Sequence, residues 1–394
     1  MDNNDKQNFV DEIGNDWDGY TSLRQGKMPH ALATTTKKRL KPVAPLARIH
    51  NGDYRDMYYA YENHSFDVTI GLTDKNDYED YNTIARVKPL IEMMFAQQVC
   101  QDIAQKDIDK ATEIRLYIDD YMAATGITKK DYAKMHIEKA MHVLSTVRSV
   151  WTETTYLRNE DGTKKFKTII DKKNRKRKTV PAVEERCFAG AYIGTIELDK
   201  KAESQGIYKP LIKKDSHGRE HYTCWLNKQM ATYMAYCPVM PFYRDLLKID
   251  PNKYRNSLIF GTKLLAYWNM NRHSANRNPQ LLENEWVVKV ENLIIDSELP
   301  LYEELTRTKT RKLPNGEKRI YIEKGNSWTE KIREPFERDL NMLVEIKMLK
   351  YWQYSDVKGN PIVGEFTDYA TFAGLYIKYA IDKHEIDSSN SDKE

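Results

Sequence analysis

Six of the seven residues from 172 to 178 are basic. Cations at this density bind phosphates and release the counterions condensed on a nucleic acid. Strand-like segments at 149–156, 166–170 and 191–198 flank the run, so we predict that it forms the tip of a long β-wing. The competing interpretation is a solvated loop. The candidate phosphate contacts are Lys172, Lys173, Arg175, Lys176, Arg177 and Lys178.

A second candidate set lies near the end of the chain, where helical spacing of apolar residues predicts a helix from Arg333 to Leu349. Pro335 is tolerated only near a helix start, which fixes the beginning. Arginine reads guanine and asparagine reads adenine through paired hydrogen bonds, so the polar face predicts base contacts. The candidates are Lys331 before the helix, Arg333, Arg338 and Asn341 on it, and Lys358 in the next turn.

The competing interpretation of this helix is an exposed surface held by its own polar pairs. Arg338 would then lie near Glu334, and Glu337 near Asn341, at the spacing that stabilises an isolated helix. The sequence alone favours neither.

A third basic set opens an earlier helix. Gly126 is a natural helix stop, and the residues from Thr128 to Asp131 begin a new helix that carries Lys129, Lys130 and Lys134. Helix, short glycine turn and helix is the outline of a helix-turn-helix.

Residue patterns for catalysis are weaker. A nicking enzyme needs a close His-x-His pair beside its tyrosine, and the chain has no such pair. Gly261-Thr262-Lys263 lacks the upstream glycine of a phosphate loop. His217-x3-His221-x2-Cys224, with Cys237 beyond it, has zinc-ligand types at a spacing typical of no structural zinc site. We therefore predict no catalytic residues, no cofactor and no metal.

These candidate residues need elements to position them, and the pattern predicts an α+β fold. Helices are expected at 83–105, 111–124 and from 128 to about 146, followed by the wing strands. The last third repeats this order with helices at 256–270 and 287–295, a polar insertion at 307–319, the 333–349 helix, and a strand or short helix at 372–381. Two unrelated helical domains are the alternative.

Composition limits the class of protein. The chain has 394 residues, 40% hydrophobic and 30% charged, and a net charge of +4. No apolar run approaches the roughly 20 residues of a membrane span, and the polar N-terminus is typical of neither a signal nor a transit peptide. We expect a cytoplasmic, nucleoid-associated protein.

Three local patterns resemble the theta-type plasmid replication initiators, which are built from two winged helices. One is Gly126-Ile127-Thr128 feeding a helix that ends in Leu144-Ser145-Thr146. Another is Asn256-Ser257-Leu258-x6-Leu265-x-Tyr267-Trp268. The last is Ile332-x2-Pro335-Phe336-x3-Leu340-x2-Leu343 leading to Trp352-x-Tyr354. The resemblance covers roughly residues 83–381 and depends more on element order than on identity.

The resemblance implies a non-enzymatic initiator with two tandem winged-helix domains. It places a dimerisation and DNA-backbone domain at 81–250 and an origin-reading domain at 251–382. The residue pattern itself predicts an N-terminal extension, partly disordered, at 1–80, which the resemblance does not cover, and an acidic tail at 383–394. Implied partners are double-stranded origin DNA, a second copy in a homodimer, the host initiator and the replicative helicase, with no membrane. A winged-helix transcriptional regulator and a nicking enzyme or primase remain the alternatives.

Overall fold

The computed structural model describes most of the chain from residue 81 onward and short strands before it. The described residues are 8–10, 16–24, 41–42, 59–63, 68–72, 81–100, 108–146, 148–156, 159, 165–170, 177–204, 208–235, 239–272, 277–295, 297–312, 318–324, 328–364 and 366–383. Helices and sheets are mixed throughout, which confirms the α+β class.

The helices of the described residues are α1 Tyr81–Cys100, α2 Ile108–Ala111, α3 Ile118–Thr125, α4 Lys130–Thr146, α5 Lys200–Glu203, α6 Lys228–Ala235, α7 Ser257–Asn271, α8 Val290–Ile295, α9 Tyr302–Leu305, α10 Glu334–Glu345 and α11 Tyr369–Gly374. The strands are β1 Asn8–Val10, β2 Asp16–Arg24, β3 Lys41–Pro42, β4 Tyr59–Asn63, β5 Val68–Leu72, β6 Glu113–Tyr117, β7 Arg148–Tyr156, β8 Phe166–Ile170, β9 Arg177–Pro181, β10 Val183–Ala191, β11 Ile193–Ile196, β12 Ile212–Lys214, β13 Glu220–Leu226, β14 Val239–Tyr243, β15 Glu285–Lys289, β16 Thr306–Lys312, β17 Lys318–Lys324, β18 Leu349–Ser355 and β19 Tyr376–Ile381.

Residues 81–226 form the first unit. Its chain runs through helix α1, strand β6, helices α3 and α4, and strands β11 to β13. Strand β13 lies in the middle of the sheet, with β6 antiparallel on one side and β11 and β12 on the other. The last strand of the unit is therefore the central one.

Residues 257–381 form the second unit, which has the same connectivity. Helix α7, strand β15, helices α8 and α10, and strands β18 and β19 follow in that order. The sheet order is β15-β19-β18, so the last strand is again central. The two units share one chain path without evident sequence repetition.

Both units contain a strand where we predicted a helix. The predicted helix 111–124 is strand β6 followed by α3, and the predicted helix 287–295 is strand β15 followed by α8. Each strand is only five residues long and runs directly into its helix. Pairing with a distant strand, β13 or β19, overrides the local helical spacing.

The predicted long β-wing is also wrong. Strands β7 and β10 pair with each other and extend a five-stranded sheet, β10-β7-β5-β4-β3, that includes strands from before residue 81. Strands β8 and β9 form a separate two-stranded hairpin. The segment 148–191 is therefore an insertion between α4 and β11, and the hairpin that ends the first unit is β12–β13, called the wing below.

The second unit has its insertion at a different place. The polar segment predicted at 307–319 is part of an antiparallel hairpin, β16–β17, that extends to Lys324 and separates α8 from α10. Helix α10 is also shorter than predicted. A π-helical turn, Thr329–Arg333, precedes it, and it ends at Glu345, shortly before Lys347 adopts a left-handed φ of 61°.

The N-terminal strand β2 joins the two units. It packs against α1 of the first unit and pairs with β14 in the segment between the units. The Tyr20 hydroxyl donates one hydrogen bond shared by the backbone carbonyls of Met348 (3.2 Å) in the second unit and Asp382 (2.9 Å) directly after it. Gly19 has a φ of 77°, and a Cβ there would lie 2.7 Å from the Tyr243 ring. Only glycine fits this close approach.

A buried ion pair on α1 contacts the rest of the first unit. The Lys88 ammonium and the Glu92 carboxylate are 2.6 Å apart, and both side chains are fully buried. The Tyr192 hydroxyl donates to the same carboxylate at 3.4 Å. Burial lowers the pKa of Lys88, and the Glu92 charge opposes that shift. Removing one partner would leave an unpaired buried charge.

Candidate nucleic-acid interface

Helix α10 has one buried and one exposed face, as its apolar spacing predicts. Ile332 in the preceding turn, Phe336, Leu340 and Leu343 are fully buried. The exposed face contains both signs of charge, and its residues are Lys331, Glu334, Arg338, Asn341 and Glu345. The predicted base-reading residues Arg338 and Asn341 are therefore solvent-accessible on this helix.

A buried carboxylate on the inner face holds α10 against α7. Asp339 has no exposed surface, and its Oδ2 accepts hydrogen bonds from the Asn256 backbone N–H (2.9 Å) and Nδ2 (2.8 Å). Ser257 donates its hydroxyl to the Asp339 carbonyl at 3.0 Å. The negative charge lies at the N-terminus of α7, where the helix dipole favours it.

The same carboxylate orients Arg338. The Arg338 Nε and Nη2 lie 3.1 and 3.0 Å from Asp339 Oδ1, while 48% of the side chain is exposed. Its guanidinium is also 5.9 Å from the centre of the Tyr254 ring. The expected pairing of Arg338 with Glu334 is replaced by this contact, which leaves the guanidinium fixed at the edge of the exposed face.

Arg333 and Glu337 form a pair one turn apart on the helix. Arg333 Nε donates to Glu337 Oε1 at 2.7 Å, and the Tyr354 hydroxyl of strand β18 donates to the same oxygen at 2.9 Å. Burial, followed by the Glu337 charge, raises the pKa of Tyr354. This local pairing follows the salt-bridged interpretation of the helix, with Arg333 rather than Asn341 as the partner of Glu337.

Asn341 has its amide orientation fixed by strand β18. The Trp352 Nε1–H donates to Asn341 Oδ1 at 2.9 Å. An indole N–H is only a donor, so the amide oxygen must face Trp352 and the NH₂ group is left to face outward. Two N–H donors suit acceptors such as phosphate oxygens or guanine O6 and N7 better than they suit adenine.

The turn after β18 carries Lys358. Asp356 Oδ1 accepts from the backbone N–H of Lys358 (2.8 Å) and of Asn360 (2.9 Å), which closes the turn. Hydrogen bonds from Asn360 hold the pKa of Asp356 below its usual value. Gly359 has a φ of 84°. Lys358 is exposed on this short turn, next to the exposed Val357.

In the first unit the predicted phosphate contacts meet acidic partners. Lys130 and Lys134 both lie beside Glu220 of the wing strand, at 3.3 and 3.1 Å, and Lys130 is 3.6 Å from Asp119. Hydrogen bonds from Lys134 and then Lys130 lower the pKa of Glu220. Lys129 is exposed at the start of α4. These pairs connect α4 with the wing.

The wing of the first unit contains residues that sequence reasoning missed. Arg219 donates to Asp120 at 2.8 Å and lies 4.0 Å from the centre of the Tyr117 ring. Asp215 accepts from the backbone N–H of His217 and Arg219, which forms the turn. An aspartate three residues before a glycine, followed by alternating strand residues, was the available signal for a hairpin turn.

The basic run at 172–178 lies mostly outside the described residues. Lys172, Lys173, Arg175 and Lys176 fall there, whereas Arg177 and Lys178 begin strand β9. The β8–β9 hairpin exposes every residue of β8, including Phe166 and Ile170. All predicted DNA contacts remain predictions, and the described ones fall into three groups: the start of α4, strand β9 of the insertion, and α10 with the turn before it and the turn after β18.

Of the zinc-like residues, Cys237 lies outside the described residues, and His221 and Cys224 do not converge. His221 and Cys224 are buried on strand β13, three positions apart and therefore on opposite faces of the sheet. Burial raises the pKa of the Cys224 thiol to about 12, which disfavours the thiolate that zinc binds. Within the described ranges, no group of three or more His, Cys, Asp or Glu side chains is placed to hold a metal ion. Nor does that part of the chain include a helix long and apolar enough to cross a membrane.

Known proteins offer only distant likenesses. No family model matches the chain, and no curated protein matches it. A crystal structure of selenomethionine derivatives of domains 2 and 3 of RctB aligns with 90% of this chain and 98% of its own, at 11% identity and a TM-score of 0.35. A second crystal structure of RctB domains 2–3 aligns with 90% of this chain and 96% of its own, at 10% identity and a TM-score of 0.36. Likeness at this level supports no inference about fold or function.

Proposed function

We propose that this chain is a sequence-specific double-stranded DNA-binding protein that initiates replication. The observation that carries the proposal is the connectivity shared by the two units. Each runs helix, strand, helix, helix and then the final strands, three in the first unit and two in the second, with the last strand central in the sheet. This is the path of a winged helix, in which the third helix enters the major groove and the last hairpin lies beside it.

The second unit is the proposed reader. Its third helix, α10, exposes Arg338 and Asn341, and both side chains are oriented by neighbours, Asp339 and Trp352 respectively. Side chains held in place before binding lose less conformational entropy in the complex. Arg338 and Asn341 would contact base edges, while Lys331 and Lys358 would contact phosphates on either side.

The first unit is proposed to contact the DNA backbone and a second copy of the chain. Lys129, Lys130 and Lys134 lie at the start of its third helix, next to Arg219 of the wing. Three carboxylates, Glu220, Asp119 and Asp120, balance most of the charge of these four cations. Weak, sequence-independent attraction fits such a surface better than base reading.

The initiator role is supported by the three local patterns that resemble theta-type plasmid initiators, whose helices are α4, α7 and α10 of this fold. In this proposal the chain is not an enzyme. It binds repeated sites at an origin, helps to open the adjacent duplex and recruits the host initiator and replicative helicase.

Footprinting on DNA that flanks the coding region tests the proposal directly. We expect protection of repeated sites at salt concentrations where random DNA is released. Equal affinity for flanking and scrambled DNA would overturn it.

A nicking assay separates the initiator from an enzyme. Supercoiled DNA that carries the protected repeats is incubated with the protein and Mg²⁺ or Mn²⁺. We expect the DNA to remain uncut. Strand cleavage that one Tyr→Phe change abolishes would contradict the non-enzymatic mechanism and leave the binding specificity intact.

A further inference from the structure

The β16–β17 hairpin, called the arm below, is a two-stranded ribbon with unusual charge. Seven residue pairs connect its strands, from Thr306–Lys324 to Lys312–Lys318. Seven of these fourteen residues are basic and one, Glu323, is acidic. Neither strand pairs with a third one among the described residues. A two-stranded ribbon on its own is marginally stable in water, so its surroundings matter.

Cross-strand pairing concentrates like charge at the outer end of the arm. The register places Arg311 opposite Arg319 and Lys312 opposite Lys318. Like charges directly opposite each other destabilise an antiparallel pair. Glu323 lies at the other end, opposite Arg307. Four cations in two successive pairs therefore have no acidic residue opposite them, and a bound polyanion would relieve the repulsion.

The other hairpin insertion lacks this feature. In the β8–β9 hairpin, Ile170 is opposite Arg177 and Ile169 is opposite Lys178. Each basic residue there faces an apolar one, which costs no charge repulsion. Of these two hairpins, the arm of the second unit is the one in which basic residues lie opposite basic residues.

An aromatic cluster connects the base of the arm to the third helix. Tyr302 of α9, directly before β16, stacks on Tyr369 with ring centres 4.6 Å apart and planes within 7°. Trp328, four residues after β17, packs against Tyr369 at 6.1 Å and against Phe372 at 5.2 Å.

From this cluster the contacts reach α10 itself. Phe372 is 5.8 Å from the ring of Phe336, which is fully buried in the first turn of α10. The chain therefore enters and leaves the arm beside the N-terminal end of the third helix. In a winged helix this is the end that enters the major groove.

We infer that the arm is a second DNA-binding element, which binds backbone phosphates of the duplex next to the groove occupied by α10. The inference depends on the proposed DNA binding of the second unit. In this inference Arg311, Lys312, Lys318 and Arg319 bind phosphates without reading bases, because cations at this density attract the nucleic-acid backbone whatever its sequence. The arm lengthens the footprint and raises affinity for any sequence.

The salt dependence of binding tests the arm. In Arg311→Gln/Arg319→Gln, two phosphate contacts are lost, and the slope of log K against log salt should become shallower by about 1.8, from roughly 0.9 per contact. The preference for specific over scrambled DNA should stay the same. The control is Lys200→Gln/Lys201→Gln, which removes the same charge from the exposed helix α5 and should leave the slope unchanged.

A charge reversal separates binding from folding. Arg319→Glu places an acidic residue opposite Arg311, so protection of arm amides from hydrogen exchange should rise in the free protein while DNA affinity falls at least tenfold. If the arm were purely structural, amide protection and DNA affinity would change in the same direction, and that result would overturn the inference.

An unchanged salt slope in Arg311→Gln/Arg319→Gln, with specific binding by the parent protein intact, would overturn the inference alone. Absence of specific binding by the parent would overturn the proposed function as well.

Discussion

The two units follow the same chain path but use polar side chains differently. In the first unit, Lys130 and Lys134 of the third helix pair with Glu220 of the wing, so charge is balanced within the unit. In the second unit, the ion pairs of the third helix stay within that helix and the turn before it, Arg338 with Asp339 and Arg333 with Glu337. The neutral Trp352 of β18 orients Asn341, so a half-exposed guanidinium and an amide are held as outward donors. A surface balanced internally suits docking, and a surface of oriented donors suits recognition.

The units also differ in where they are interrupted. The first unit has its insertion after the third helix, and the second has its insertion before it. The N-terminal end of α10 thus has the basic arm beside it, while the corresponding end of α4 follows the turn at Gly126 directly. The same chain path can accept an inserted segment at either end of its third helix.

Loss of the Asp339 carboxylate should have the largest effect and should be confined to the second unit. Asp339→Ala leaves the buried Asn256 N–H groups without an acceptor, which costs about 3 kcal/mol of local stability. Amide hydrogen exchange would show faster opening of α7 and α10 with α4 unchanged. Glu345→Ala, on the exposed face of α10, is the control and should stay within about 0.5 kcal/mol. Equal loosening of α4 would mean that the units unfold together.

Replacement of Arg338 should weaken specific DNA binding by about 1–3 kcal/mol and relax base preference, because a guanidinium in the groove carries discrimination. Titrations with specific and scrambled duplexes measure both quantities. Lys331→Ala serves as the comparison, since loss of a phosphate contact should weaken both complexes equally. Unchanged binding by Arg338→Ala would show that α10 is not the reading helix.

Removal of Glu220 tests the docking role of the first unit. Glu220→Gln leaves Lys130 and Lys134 with less balancing charge, so affinity for any duplex should rise by about 0.5 kcal/mol at low salt, within the range of exposed ion pairs. The gain should disappear at high salt as screening increases. The control is Glu203→Gln, which removes the same charge from the exposed helix α5, outside this network, and should produce no gain. If the first unit does not contact DNA, Glu220→Gln should not raise the affinity for a duplex either.

The smallest effect concerns pH. The folded-state pKa of Glu220 is depressed by Lys134 and Lys130, so its stabilising contribution is present above the unfolded pKa and is lost as pH falls through the folded value. The stability difference between the wild type and Glu220→Gln should therefore be constant near neutral pH and shrink below about pH 4.5. Thermal melts across pH 3–7 measure it, and a difference independent of pH would show that the ion pairs contribute nothing.

Sequence reasoning succeeded where local chemistry decides structure. Gly126 has a φ of 72° and donates its N–H to the Met122 carbonyl, as expected of a helix stop. The stripe of Ile332, Phe336, Leu340 and Leu343 is fully buried. A conformation that only glycine adopts easily, or a stripe at helical spacing, needs no distant partner to be recognised.

Prediction from the sequence failed where pairing between strands that are distant in the chain decides the structure. In the first unit, Ile114, Ile118 and Tyr121 follow helical spacing, yet Ile114 belongs to β6 because Cys224, more than a hundred residues later, pairs with it. Strand β7 fits the pattern of a wing strand, but it belongs to a five-stranded sheet because it pairs with β5, which lies before the first helix. Strand pairing of this kind is invisible in a short window of sequence.

The hydroxyl of Tyr20 has a consequence for synthesis of the chain. Its two acceptors are 328 and 362 residues further along, and its strand β2 pairs with β14 at residues 239–243. During translation β2 can pair with β14 only after more than half of the chain has emerged, and the Tyr20 hydroxyl can reach these two carbonyls only when the second unit is nearly finished. The closure of β2 is therefore a late folding event of high contact order, and the nascent chain is most exposed to misassembly before it.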